Sequence, residues 1–495
     1  MELLGTCTAL LVIWISFLLL SATWKSKMYR KGKMPPGPTP LPIFGNVLQL
    51  KGKYWDQEFS KISETYGPVF TFYLGMEPVV VLNGYEAIKE ALIDQGNDFS
   101  FRAKIPLIDK LNKGGGIMFS NGKTWKQLRQ FTLTTFRNFG MGKRSIEERI
   151  QKEIQYLLEQ FHDTKGQPFD PHYLMINAVS SVIGSVIFGK HYGYDDKKFQ
   201  TFITQIIESI EIFASICGQL FYAFPAFMEW FPGPHQHVIA NYVKLKEFIL
   251  EEAKEHRATL DPNSPRDFID CFLIRMDQEK HDEASEFTTE NMVTCCTDLF
   301  GAGTETTSTT LKYGLLILQK YPEIEEKAQK EIDQVLGRSR MPSMADRRQM
   351  PYTDAVIHEI QRFISLVSLS VPHAMVKDTP FRGYVIPKGT TILPVLTSVL
   401  HDGKEFPNPT KFDPGHFLNP DGTFRKSNYF MPFSAGKRMC AGEGLARMEL
   451  FLFFTSILQN FKLKPLTDPK DIDLSPMKGN MNNVPHPYKF CVIPR

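Results

Sequence analysis

The chain has 495 residues, a formal net charge of +3 at pH 7, and is 42% hydrophobic and 22% charged. Such ordinary globular composition supports a large core, and the near-neutral balance excludes bulk polyanion binding, so no nucleic-acid partner is expected. The seven cysteines are odd in number, sparse and without a C-x-x-C pair; this excludes a disulfide framework and thiolate-rich zinc or iron–sulfur sites, and points to reduced thiols in a cytosol-facing protein.

Leu3 to Trp24 is an uncharged run rich in Leu, Ile, Phe and Trp, followed at once by Lys25, Lys27, Arg30, Lys31 and Lys33. As a helix it is about 33 Å long, enough for the hydrocarbon core. The positive-inside bias leaves everything after residue 24 in the cytosol. A cleaved signal peptide ending near Ser21-Ala22-Thr23 is the rival; the length, the missing positive n-region and the basic cluster favour an uncleaved anchor at 1–24. Residues 25–42 form a basic, proline-rich hinge, because the prolines from Pro35 to Pro42 give a stiff extended spacer. The body then occupies 43–495 as a single large domain, mainly α with minor β. The runs Val69–Leu74 and Val79–Leu82 predict two strands around a turn, with a helix over 85–94. Periodicity is mostly helical from about 120 to 365, and strand patterns return near 383–386 and 390–395.

Gly116 to Thr124 resembles a phosphate loop but has the wrong glycine spacing, so no nucleotide site is expected there. Trp125 and Arg129 lie four apart on one helix face, where an indole N–H and a guanidinium suit a carboxylate; an ordinary surface arginine beside a half-buried tryptophan is the plainer alternative. Residues 212–232 carry Phe213, Phe221, Tyr222, Phe224, Phe227, Trp230 and Phe231. Core packing and a membrane-interface position are equally open for them.

Thr288 and Thr289 are candidate N-caps of a long helix ending before Pro322. Its middle, Gly301-Ala302-Gly303-Thr304-Glu305-Thr306, is weak by propensity; small residues leave a groove for a ligand or for a neighbouring helix, and Glu305-Thr306 sets an acid beside a hydroxyl, as a proton relay needs. On the helix starting near Thr353, Glu359 and Arg362 share a face; alone, such a pair is a weak signal. Cys440, in Phe433-Ser434-Ala435-Gly436-Lys437-Arg438-Met439-Cys440-Ala441-Gly442, precedes a helical pattern whose N-terminus favours a thiolate. Gly436 and Gly442 permit close backbone approach, and a single thiolate on such a turn suits one metal ion; an inert buried cysteine is the alternative.

Together these motifs resemble the haem-thiolate monooxygenases, the cytochromes P-450. Phe433-x-x-Gly436-x-Arg438-x-Cys440-x-Gly442 fits the family's haem signature, Ala302-Gly303-Thr304-Glu305-Thr306 its oxygen-activation helix, and Glu359-x-x-Arg362 its structural ion pair. Anchor, basic cluster and proline hinge fit its microsomal members, and the likeness is strongest to vertebrate family 2, its C-like subfamily in particular. The resemblance implies haem b with Cys440 as metal ligand, O2 as co-substrate, and propionate contacts from Arg102, Trp125, Arg129, His373 and Arg438. It implies Glu305 and Thr306 as the catalytic acid and alcohol. It also places Phe119, Phe213, Asp298, Ala302, Leu366, Val371 and Met481 near the substrate. His416 stands where many members have an arginine joined to the Glu–Arg pair, which puts the strength of that network in question.

The implied activity is hydroxylation or epoxidation of lipophilic substrates (xenobiotics, fatty acids, steroids, retinoids) at the cytosolic face of the endoplasmic reticulum. The implied partners are NADPH-cytochrome P-450 reductase, cytochrome b5 as a further donor, and membrane lipid. Lys123, Lys126, Arg137, Lys143, Arg144 and Lys437 are candidates for the reductase face. A haem-thiolate isomerase and a haem carrier are the rivals; the retained Glu305-Thr306 pair and the weakened helix argue against them.

Overall fold

The alternating apolar runs at 69–83 fold as a hairpin. Val69–Leu74 (β1) pairs antiparallel with Glu77–Asn83 (β2), and Gly75 takes the positive φ that the turn needs. Three more strands, Phe101–Arg102 (β3), His373–Ala374 (β4) and Thr391–Val395 (β5), complete a sheet in the order β1-β2-β5-β4-β3. This is a computed structural model, and it describes Ile15 and residues 34–50, 54–139, 144–477 and 482–495. The expected anchor at 1–24, the basic run 25–33, Lys143, the side chain of Arg144, and Met481 lie outside the described residues.

Helices supply the rest of the body. Those that position the site are Gly122–Asn138 (α1), His172–Phe188 (α2), Lys197–Ala214 (α3), Pro234–Ala258 (α4), Thr289–Lys320 (α5), Pro351–Ile364 (α6) and Glu443–Asn460 (α7). The mainly α, minor β expectation holds. The strands near 384–386 and 391–395 form as expected, flanking a turn in which Gly389 has φ +78°. Among the described residues no single helix is long and apolar enough to cross a membrane.

The axis of the body is α5. Thr288 caps it, its side chain accepting the Asn291 N–H, and Tyr321-Pro322 ends it. Phe300, Leu311, Leu315, Ile317 and Leu318 on it are fully buried. Each contributes about 1.5–3 kcal/mol, which outweighs the weak propensity of 301–310. The two glycines serve packing. A methyl on Gly301 would meet Ile206 of α3 at 3.4 Å, and one on Gly303 would meet Ile183 of α2 at 3.2 Å. Of the two uses open for these small residues, Gly301 and Gly303 take helix contact, while Ala302 between them stays exposed. α7 is buried nearly all round from Met448 to Gln459, so it is a core helix and not a one-faced one. It crosses α5 where Gly314 meets the Phe454 ring, at a point with no room for a side chain.

The 212–232 segment divides. Phe221 is buried in a small cluster with Leu107 and Val238, whereas Trp230 is 87% exposed and Phe227 64%.

Candidate active site

The loop before α7 is fixed by backbone. The Cys440 N–H donates to Phe433 O at 3.0 Å, closing 433–440 into a turn. Gly436 (φ +71°) presses against the Leu92 carbonyl; a Cβ there would lie 1.8 Å from its oxygen, so no other residue fits. Gly442 is less constrained, with only the Cys440 sulfur 3.9 Å from its would-be Cβ. Cys440 is exposed by surface area, yet enough protein surrounds it that burial raises its thiol pKa. The N–H groups of Gly442 and Glu443 and the Arg129 charge pull the other way without overcoming that. The sequence expectation that the helix terminus favours a thiolate is thus corrected: burial outweighs it, and coordination to a metal would supply the deprotonation.

A cradle of cations lies beside this loop. Arg102 and His373 are direct cross-strand partners on β3 and β4, which puts their side chains on one face. Trp125 and Arg129 come from the first turns of α1. Arg438 stacks on the Trp125 ring at 3.9 Å, and Arg129 lies 5.9 Å from it. Asn121 ties the group together: its Oδ1 accepts from the Arg102 N–H at 2.7 Å and from Arg438 Nη2 at 2.9 Å, and its Nδ2 returns a bond to Arg102 O at 3.0 Å. Arg438 also donates to the Ser100 and Ser120 carbonyls, and Arg102 Nη1 donates to Val371 O at 2.7 Å.

Four buried polar atoms in this cradle have no hydrogen-bond partner: Arg102 Nε, Trp125 Nε1, His373 Nε2 and Arg438 Nη1. Among the described residues no carboxylate pairs with Arg102, Arg129 or Arg438. Burial first, and then their mutual repulsion, lowers the pKa of Arg102 and Arg438; burial also lowers that of Arg129. Burial, with Arg102 and Arg438 beside it, holds His373 well below the ordinary imidazole range. Its Nδ1 faces Phe99 O at 2.8 Å. Arginines remain charged even here. Two buried guanidiniums, with half-buried Arg129 beside them donating to the Met439 carbonyl and no acid in reach among the described residues, fit a dianionic ligand such as the two carboxylates of a haem, and the Cys440 thiol fits its iron.

Glu305 and Thr306 sit on α5 as the spacing demands. The Thr306 hydroxyl donates to Ala302 O at 2.7 Å, and Thr309 donates to Glu305 Oε1 at 3.2 Å. Burial pushes the Glu305 carboxyl up to about 6 despite the nearby Lys312 charge. Asp298, expected near the substrate, is a clamp: its Oδ2 accepts from the Ile117 and Met118 N–H groups, both at 2.9 Å, fixing the loop that carries Phe119. Burial pushes it up to about 7. Phe213 and Leu366 pack into separate apolar clusters. A polar surface groove lined by Tyr194, Lys197, Gln200, Gln205 and Lys244 shares none of these residues and is unsuited to a lipophilic ligand.

The Glu359–Arg362 pair proves far from weak. Both are fully buried, Arg362 Nε and Nη2 donate to the two Glu359 oxygens at 2.7 Å, and Nη1 donates to the Leu400 and Pro409 carbonyls. Glu359 also accepts from the Asp413 N–H at 2.9 Å and meets His416 Nδ1 at 3.2 Å, while His416 Nε2 meets Pro407 O at 2.8 Å. His416 thus joins the network in the arginine's place.

The fold and the cradle fit one class: a helical enzyme able to hold a doubly carboxylated prosthetic group beside a thiol. A match to the family "Cytochrome P450" covers residues 35–492. Among curated proteins, the chain is 54% identical to cytochrome P450 2C11 of Rattus norvegicus, over 98% of this chain and 97% of that one. It is 55% identical to cytochrome P450 2C8 of Homo sapiens, over 98% and 99%. Cytochrome P450 2H2 of Gallus gallus is 56% identical over the full length of both. The chain belongs to the cytochrome P450 family. It is a haem-thiolate monooxygenase that uses O2, takes electrons from a redox partner and acts on lipophilic substrates, xenobiotics among them.

Asn121 was not legible as a site residue; its only sequence signal is its place just ahead of α1.

Proposed function

We propose that Cys440 would ligate the iron of haem b through its thiolate and that Arg102, Trp125, Arg129, His373 and Arg438 would hold its propionates. The observation that carries this is the set of four partnerless buried atoms in the cradle. A dianion gives each a partner, relieves the repulsion among the arginines, and favours the His373 imidazolium, which can donate from Nε2. Bound haem supplies the iron chemistry that puts one oxygen atom of O2 into the substrate and releases the other as water, consuming two electrons and two protons.

The chain's part is to exclude water, hold the substrate and supply those protons. With a pKa near 6, Glu305 can give and regain a proton at neutral pH. Thr306, adjacent to it, passes the proton on once its hydroxyl turns from the Ala302 carbonyl. Phe119, Phe213, Ala302, Leu366 and Val371 contribute the apolar walls, and Asp298 holds the Phe119 loop. In a system reconstituted with NADPH and reductase, Glu305→Gln and Thr306→Ala are each expected to cut product per NADPH about tenfold or more, with hydrogen peroxide rising in its place. Unchanged product yield in both variants would falsify the acid–alcohol assignment.

We assign 1–24 as a single-pass anchor in the endoplasmic reticulum, 25–42 as hinge, and 43–495 as the cytosolic haem domain. The exposed Phe227 and Trp230 favour a second, lipid-facing contact, shared with the start of the body just after the hinge, because Phe44 packs edge-on against Phe224 at 6.3 Å. Replacing Phe227 and Trp230 with alanine should weaken binding of a chain lacking residues 1–24 to phosphatidylcholine vesicles, as read by flotation.

The reductase, with cytochrome b5 as a second donor, is assigned to the exposed cations of α1. Lys126 and Arg137 point outward there, on the helix whose other residues Trp125 and Arg129 enter the cradle. Lys123 and Lys437 are partly engaged, by Ala284 O and Asn97 Oδ1. Lys126→Glu with Arg137→Glu should weaken reductase affinity, more at low than at high salt. Titration of binding at two ionic strengths checks it; equal affinity at both removes these residues from the docking face.

A further inference from the structure

We propose that Lys312 and His172 form the inlet through which solvent protons reach Glu305. The proposal rests on Glu305 and Thr306 being the acid–alcohol pair.

Glu305, Thr309 and Lys312 are spaced i, i+4, i+7 on α5, so they form one stripe about 10.5 Å long. Thr309 bonds Glu305 at 3.2 Å, and at the far end Lys312 Nζ lies 2.7 Å from His172 Nδ1, in the first turn of α2. Lys312 is only 8% exposed, and its ammonium meets an imidazole where a carboxylate would be the ordinary partner. His172 is half-buried, beside exposed Tyr173 and Asp170, so this end of the stripe reaches water.

Beyond His172, the groups facing the stripe come from three places. Glu211 of α3 acts on both Glu305 and Lys312. Asp170, just before α2, acts on Lys312 and His172. Tyr488, from the C-terminal segment, donates its hydroxyl to the Lys312 carbonyl at 2.6 Å. Burial lowers the Lys312 pKa and raises that of Glu305, which narrows the gap a proton must cross. Exposed Glu211 and Asp170 put negative charge at the entrance.

The balance is simple. The Lys312 ammonium donates to His172 Nδ1, and burial together with that charge brings the imidazole down to about 4, so the proton rests on Nζ. When Glu305 has given its proton to the site, this pair passes one along the Thr309 hydroxyl to the carboxylate. Water replaces it at the half-exposed ring, so each proton delivered is matched by one taken from solvent.

The test compares the full-length holoenzyme with Lys312→Met, Lys312→Arg, His172→Phe and Glu305→Gln. The carboxyl infrared band lost in Glu305→Gln identifies Glu305 in the ferric protein. Its titration midpoint should rise in Lys312→Met, where the cation is gone, and stay in place in Lys312→Arg. Product per NADPH should fall about threefold or more in Lys312→Met, Lys312→Arg and His172→Phe alike, with a larger deuterium-oxide effect on product formation and KM unmoved. Arginine keeps the charge but cannot give up its proton. Full coupling in Lys312→Arg therefore overturns the relay in favour of a charge effect, and full coupling in His172→Phe overturns the inlet. Should Lys312→Met fail to fold, His172→Phe at the edge of α2 still decides. If Glu305→Gln itself leaves coupling intact, the acid–alcohol reading falls instead; if it uncouples while the other three do not, only the inlet falls.

Discussion

Cys440→Ser will abolish the red-shifted Soret band of the reduced carbon monoxide complex and, with it, NADPH-supported oxygenation. The red shift requires an anionic sulfur on iron, whose electron donation favours O–O cleavage. A serine hydroxyl is far less acidic than a thiol and far less polarisable, and this site resists ionisation even of the thiol, since burial raises the Cys440 pKa. Two backbone N–H groups and Arg129 are then left facing an oxygen that does not carry a full charge. The loss is chemical and not structural. The loop is held by the Cys440 N–H to Phe433 O bond and by Gly436 against Leu92, neither of which involves the side chain. Far-ultraviolet circular dichroism should therefore stay as in the parent while the spectrum of the carbon monoxide complex changes. An unaltered Soret band would remove Cys440 as the ligand.

Much of this site was legible in local sequence because its chemistry is local. The turn around Cys440, the Ala302–Thr306 stretch and the Trp125/Arg129 face each fall within ten residues; each alone leaves a plainer reading open, and their combination points to the site. Apolar strand runs likewise indicate the β1–β2 hairpin, and the Thr288 cap and Pro322 bound α5. What sequence could not weigh was long-range. Glu359-x-x-Arg362 looks like a surface pair until the carbonyls of Leu400 and Pro409 and the N–H of Asp413 are folded onto it. Asn121 is mute until β3 and the 433–440 turn converge on its amide. His172 and Lys312 are separated by 140 positions, and nothing in either neighbourhood points to the other. Glycines mislead for the same reason: Gly301 and Gly303 suit a ligand groove or a helix contact equally well, and only the positions of Ile206 and Ile183 decide. The sequence also emphasises the helix dipole at Cys440, whereas burial, invisible in a local window, outweighs it.

Arg362→Ala will cost more stability than any other single side-chain removal considered, about 3–5 kcal/mol against a total of about 5–15 kcal/mol for an ordinary domain. The arginine is fully buried and satisfies Glu359 in a bidentate pair while reaching the carbonyls of Leu400 and Pro409; its guanidinium also lies 5.3 Å from the Phe406 ring. Removing it leaves a buried carboxylate with only the Asp413 N–H and His416, and the carbonyls of Leu400, Pro409 and Lys411 lose their guanidinium donor. Because this clamp joins α6 to the 400–417 segment that leads into the Cys440 loop, the variant should be recovered largely without haem, with a much lower Tm and no carbon monoxide spectrum. His416→Gln should be milder, about 1–2 kcal/mol, since it removes one charge-assisted bond and leaves the bidentate pair. That smaller loss has a pH signature. Burial opposes the His416 charge, but its bonds to Glu359 and the Pro407 carbonyl raise its pKa above 6.5. Its contribution is therefore complete below about pH 6.5 and fades as pH rises through the raised folded-state value. The Tm gap between parent and His416→Gln should narrow from pH 6 to pH 9, whereas the gap to Arg362→Ala should persist. A gap to His416→Gln that is constant across that range would mean that the imidazole holds Glu359 as a neutral donor.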